Sequence, residues 1–225
     1  MSEHKPMKNF SAKGALLSFL FLTIPASLLA QAGPARTELE RFSLELNTLH
    51  ASFSQQVVSS DGVVESDNSG RIWLSRPHLF RWEYGGDFPE LVVADGTRVW
   101  LYDEMLEQVT IKDQSSLSSD SPLTMLTDLS RLDEQFEVRE LGSNAEMQLL
   151  ELQARNPEAE FSRVLLGLTD GELLLMAMED AFGLRTEIRF SDIQRNPELD
   201  LSLFQFVPPQ NADVIGELPV DLGAR

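Results

Sequence analysis

Gly70-Arg71-Ile72-Trp73-Leu74-Ser75-Arg76-Pro77-His78-Leu79-Phe80-Arg81-Trp82-Glu83-Tyr84 decides the fold class. Residues 71–75 read as a strand that Arg76-Pro77 closes, because proline cannot donate to a sheet ladder. After the break, Phe80, Trp82 and Tyr84 share one face while Arg81 and Glu83 share the other. Two such runs joined by so few residues are antiparallel neighbours, since a parallel pair needs a crossover of about a dozen residues.

Downstream the same period continues through residues 91–94, 99–102 and 107–112, with Asp95-Gly96 as a hairpin turn. Residues 113–121 are rich in Ser and Asp and interrupt the meander. Ser121-Pro122 then opens a helix with proline in its first turn, whose stripe is Leu123, Leu126 and Leu129, running to about Leu132. Further strands are expected over residues 136–141, 146–153, 161–168, 173–178, 185–190 and 204–207, with Asp170-Gly171 as another hairpin turn. Upstream, Thr37-Glu38-Leu39-Glu40 has the form of a capping box. Leu39, Phe42, Leu46, Leu49, Phe53 and Val57 follow at spacings of three and four, so one amphipathic helix is expected up to about residue 59. The sum is one mainly β (α+β) domain of roughly ten antiparallel strands with two or three helices.

Two strands are apolar on both faces: Leu173-Leu174-Leu175-Met176-Ala177-Met178 and much of Val164-Leu165-Leu166. Either a helix packs on them as ordinary core, or they wall a ligand cavity beneath a helical lid. Periodicity does not separate the two.

The chain has 225 residues, no cysteine, and 18 Lys and Arg against 36 Asp and Glu, a formal charge of -18. That balance argues against nucleic-acid binding, which needs clustered cations. The missing cysteines exclude disulfides, thiolate metal sites, a cysteine nucleophile and lipidation on cysteine. Lys5, Lys8 and Lys13 precede a short apolar run that ends in Ala30-Gln31-Ala32. Such a basic head, apolar stretch and A-x-A exit read as a secretory signal peptide over residues 1–32, cleaved after Ala32. The mature domain is expected over residues 33–215, with a disordered tail over 216–225. It keeps 15 basic and 35 acidic residues and so gains net negative charge.

Chemistry is sparse. Of the three histidines, His4 leaves with the leader, and neither His50 nor His78 has a partner at a metal-ligand spacing. Nucleophile-elbow, phosphate-loop and H-E-x-x-H motifs are missing. No enzyme, metal site or cofactor is expected.

Several ordered stretches carry a resemblance. They are His50-Ala51-Ser52-Phe53-Ser54-Gln55; the Gly70 to Trp82 stretch; Val93-Ala94-Asp95-Gly96-Thr97-Arg98-Val99-Trp100-Leu101-Tyr102; Glu107-Gln108-Val109-Thr110; Asp180-Ala181-Phe182-Gly183; and Phe204-Gln205-Phe206-Val207-Pro208-Pro209. Together they resemble the periplasmic outer-membrane lipoprotein carrier family (LolA) over residues 37–215. The resemblance implies an unclosed antiparallel half-barrel with a helical lid over an apolar cavity. It implies a monomeric periplasmic chaperone that takes triacylated lipoproteins from an inner-membrane releasing ABC transporter to an outer-membrane receptor. Arg76 then matches the arginine that latches the lid and Phe80 an aromatic at the cavity mouth. Trp82, Leu174, Met176 and Met178 are the expected wall. Leu152-Gln153-Ala154-Arg155 departs from the usual Leu-x-Pro-Lys. A regulatory module that senses lipid or lipoprotein on the same fold is the alternative.

Overall fold

The computed structural model describes residues 33–116, 132–144 and 146–216, together with Met1. The leader, the expected helix from Ser121 up to Leu132 and the tail beyond residue 216 lie outside the described residues.

The strands are β1 (Thr48–Val58), β2 (Val64–Ser75), β3 (Leu79–Tyr84), β4 (Glu90–Asp95), β5 (Arg98–Asp103), β6 (Gln108–Asp113), β7 (Phe136–Ser143), β8 (Gln148–Ala154), β9 (Arg163–Thr169), β10 (Glu172–Glu179), β11 (Arg185–Arg195) and β12 (Asp213–Ile215). They form one 12-stranded sheet in the order β12-β6-β5-β4-β3-β2-β1-β11-β10-β9-β8-β7. The end strands β12 and β7 are not paired with each other, so the sheet is unclosed. Its ladders are antiparallel except β12–β6, which is parallel. Asp95 shapes the first hairpin turn: its carboxylate accepts from the N–H groups of Thr97 and Arg98 and from Trp100 Nε1.

The long first helix is corrected. Helix α1 covers only Pro34–Ser43, with Gly33 as N-cap and proline at the first position. Thr37 sits inside it, its hydroxyl donating to Gly33 O at 3.0 Å. Residues 48–58 are strand, paired on one side with β2 and on the other with β11. Leu49, Ala51 and Phe53 alternate inward, and a spacing of four fits a strand as well as a helix. Two long-range ladders therefore override a period that local sequence left degenerate.

Residues 204–207 are corrected too. Phe204 ends a 3-10 turn (Leu201–Phe204) that the Asp200 side chain caps, and the following segment runs outside the sheet. Its alternating phenylalanines serve packing instead: the Phe206 ring lies 5.7 Å from both Trp100 and Tyr102. This segment covers the outer face of β4–β6, where Val93, Trp100 and Val109 are buried.

The opposite, inner face carries the main core. β1 and β2 contribute Leu49, Ala51, Phe53, Ile72 and Leu74. β8–β10 contribute Leu150, Leu152, Val164, Leu166, Leu168, Leu173 and Met176. Helix α1 lies across β7–β10 on this face.

Candidate functional site

Ala35, Leu39 and Phe42 form the buried stripe of α1, at spacings of four and three. They close onto the inner face so well that the gap between Phe42, Leu49, Ala51, Leu173, Phe190 and Ile193 is only about 10 Å³. A space of that size holds at most about one water. A larger apolar guest enters this half of the face only if α1 moves.

How α1 is moored therefore matters. At its C-terminal end, Arg76 Nη1 donates to Ser43 O at 3.1 Å and lies 3.4 Å from the Ser43 hydroxyl. Arg195 Nη2 donates to Phe42 O and Leu44 O, both at 3.0 Å, and to Arg41 O at 3.3 Å. Its Nη1 holds Gly171 O at 3.2 Å. The carbonyls of the last helical turn have no partner within the helix, and two guanidinium groups complement the negative end of its dipole. Asn196 secures the next residues, accepting from the N–H groups of Asn47 and Thr48 and donating to Glu45 O.

The N-terminal end is held by charge from the other edge of the sheet. The Glu140 carboxylate on β7 accepts from Ala35 N at 3.1 Å and Arg36 N at 2.9 Å. Arg36 forms a bidentate pair with Asp133, both bonds 2.7 Å, in helix α2 (Leu132–Gln135). Those bonds hold the Asp133 carboxyl below the usual carboxylate range. In mid-helix, Glu38 accepts from Gly171 N at 2.6 Å.

Met176, Met178 and Trp82 belong to the apolar cluster that α1 caps. Trp82 is 4% exposed, with its ring 4.7 Å from Phe53 and 6.4 Å from Phe190. Phe80 stands in a neighbouring cluster with Ala94 and Val99 on the same face. Arg76 lies at the rim, against the end of α1. Leu174 is displaced: Leu173 pairs with Leu168 and Leu175 with Gly167, so Leu174 is the extra residue of a bulge. Leu173 takes the place beside Met176 and Met178 that alternation gives Leu174. On the outer face of these strands the Met147 side chain fills the space that a Cβ on Gly167 would occupy.

Beyond α1 the inner face carries an open hollow of about 220 Å³ over Val92, Leu101 and Thr110, with the carboxylates of Glu90 and Asp103 also in its wall. A larger cleft of about 370 Å³ lies on the outer face, with Arg71, Arg81, Glu83 and Glu90 in its wall. Its charges do not suit an acyl chain. His50 is not on a helix but on the outer side of β1, stacked on Trp73 at 5.0 Å. Among the described residues, no cluster of three or more His or carboxylate side chains could hold a metal ion.

Sequence reasoning missed Arg195 and Glu140. Arg195 ends a strand just before Asn196-Pro197, and Arg76 directly follows one before Pro77; that parallel was the available signal. Glu140 had none, because its partners lie more than a hundred residues away.

A family profile described as "Outer membrane lipoprotein carrier protein LolA" matches residues 45–207. The outer-membrane lipoprotein carrier protein of Dechloromonas aromatica is 40% identical over 190 residues, covering 84% of this chain and 91% of that protein. The protein of that name from Xanthomonas campestris pv. campestris is 40% identical over 185 residues, covering 81% and 88%. Among solved structures, an uncharacterized conserved protein from Thermus thermophilus superposes with a TM-score of 0.52 at 16% identity, over 81% of this chain and 99% of that one. This last likeness concerns the fold alone.

Proposed function

The chain belongs to the outer-membrane lipoprotein carrier protein LolA family, and from that premise we propose that it carries triacylated lipoproteins through the periplasm. It takes them from an inner-membrane releasing ABC transporter, shields their acyl chains against the inner face, and passes them to an outer-membrane receptor. Export follows from the leader over residues 1–32, cleaved after Ala32. Arg76 latches the lid, Phe80 stands at the mouth, and Trp82, Met176 and Met178 line the path.

The observation that carries this reading is the lid itself. Helix α1 buries Leu39 and Phe42 on a broad apolar face, yet polar bonds at its two ends hold it there. Uncovering those two side chains costs about 3–6 kcal/mol. Burying ten methylenes of an acyl chain returns about 8 kcal/mol. The two are of the same order, so cargo opens the lid with little net affinity to spare, and a receptor with modestly better burial takes the cargo over.

The test uses the mature chain, inner-membrane vesicles that contain a triacylated lipoprotein and its releasing transporter, and ATP. A soluble one-to-one complex of lipoprotein and carrier is expected, and Phe80→Glu, which sets a carboxylate against the acyl chains, should yield none. Lipoprotein that stays with the vesicles in the presence of wild-type chain overturns the reading.

A further inference from the structure

Glu140 does more than accept two backbone N–H bonds. A Cβ on Gly33 has no room, because the Glu140 carboxyl group occupies the place it would take beside the Gly33 Cα. The backbone nitrogen of Gly33 is one bond from that Cα, about 1.5 Å away. Gly33 is also the residue that follows Ala30-Gln31-Ala32.

We propose that removal of the leader builds a latch: the new α-ammonium of Gly33 pairs with the Glu140 carboxylate and holds the N-terminal end of α1 against β7. The proposal rests on the cleavage after Ala32 read above. Hydrolysis of the Ala32–Gly33 bond adds water across it. The leader departs with a carboxylate on Ala32, and the Gly33 nitrogen takes a proton to become an ammonium. An α-ammonium of ordinary basicity is mostly charged at neutral pH. Before cleavage the same nitrogen is a neutral amide, and Glu140 serves α1 only as a helix cap.

Two effects oppose each other here. A positive charge at a helix N-terminus is repelled by the helix dipole, which by itself loosens α1. The carboxylate reverses this, being held in place by Ala35 N and Arg36 N before the ammonium arrives. Little side-chain freedom is lost when the pair forms, whereas such a loss is the usual reason an exposed pair is weak. The Arg36 guanidinium in the same turn is engaged with Glu40 and Asp133, and Arg155 acts on Asp133 as well. The latch sits at the opposite end of α1 from Arg76 and Arg195, so processing adds a charged mooring at the N-terminal end.

Hydrogen exchange of the α1 amides tests the latch with no cargo present. Four proteins are compared: the chain beginning at Gly33 with a free or an acetylated amino group, each with Glu140 or Glu140→Gln. Acetylation removes the ammonium, and its effect on α1 opening should differ between the two backgrounds by about two- to fivefold, with the wild type losing protection relative to Glu140→Gln. An equal effect in both backgrounds overturns the latch. If Glu140→Gln unfolds α1 outright, a chain that retains Ala32 replaces it, since one added residue moves the ammonium away from the carboxylate. That chain should then exchange faster than the one beginning at Gly33, and equal rates overturn the proposal. The intact mass of the exported protein reports the cleavage site separately, and neither measurement depends on the carrier activity.

Discussion

Arg76 directly follows β2 and Arg195 ends β11, the two strands that flank β1, and their guanidinium groups meet adjacent carbonyls of one helical turn. Arg76 Nη1 takes Ser43 O at 3.1 Å and Arg195 Nη2 takes Phe42 O at 3.0 Å. The C-terminal end of the lid is thus gripped from both sides of the strand into which it leads. Charge-assisted bonds of this kind are each stronger than a neutral pair.

Arg195→Met should loosen α1 without unfolding the sheet. Losing the bonds to three helix carbonyls costs about 1–3 kcal/mol, so the α1 amides should exchange roughly 5- to 150-fold faster. Arg195→Lys should recover part of the protection, because one nitrogen meets the three carbonyls at the end of α1 and an ammonium forfeits chiefly the second bond, to Gly171 O. Unchanged α1 exchange in Arg195→Met removes the residue from the mooring.

Arg76→Leu should separate pickup from release. With the closed state weakened by about 1–3 kcal/mol, bound lipoprotein gains by the same amount. The variant is expected to extract lipoprotein from inner-membrane vesicles and to pass it to receptor slowly, leaving it in the soluble fraction. Transfer at the wild-type rate in a timed handover assay leaves Arg76 as a strand-end residue with no part in release.

Two glycines should respond differently to alanine. At Gly70 the added methyl meets the backbone oxygen of Glu83 and lies 2.8 Å from Phe53 Cζ, neither of which can swing aside. Gly70→Ala should therefore cost about 3 kcal/mol or more in urea unfolding. At Gly167 the main obstacle is the flexible end of Met147, with the fixed Leu175 Cβ at 3.0 Å beside it, so Gly167→Ala should cost less, about 1–2 kcal/mol.

Tyr84 gives an alkaline signature. Burial, helped by the charge of Glu90, pushes its phenol up to about 12. Below about pH 10 the phenol is neutral in both folded and unfolded chains, and its contribution is fully present. As pH rises further the unfolded chain ionises first, so stability falls between about pH 10 and 12, by roughly 1–3 kcal/mol in all. Tyr84→Phe should lose the bond to Gln55 at 3.1 Å but flatten that decline. Urea midpoints measured from pH 9 to 12 decide, and an equally steep decline in Tyr84→Phe excludes the phenol as its source.

The meander from β2 to β6 was legible because its signals are local. Alternation, Arg76-Pro77 and Asp95-Gly96 act within a few residues. The turn from α1 into β1 was not, because Leu49 and Phe53 fit both periods and the choice lies with β2 and β11. The bulge at Leu174 was equally hidden, since alternation carries no mark of one extra residue. Of the candidate site, Arg76 and the apolar strands could be named in advance. The partners that hold the lid could not, because Glu140 and Arg195 act on α1 from strands far along the chain.

The ladder between β1 and β11 joins residues 48–58 to residues 185–195, so the first strand of the sheet is completed by nearly the last. A chain that emerges from its N-terminus can pair β1 with β2 at once. It must then wait for residue 185 before the other edge of β1 is covered, because closing so long a loop precedes any reward from the contact. Until then α1 lacks the grip of Arg195, and β7–β10 are not yet joined to β1. The inner face is therefore completed late, when β11 arrives to bridge β1 and β10.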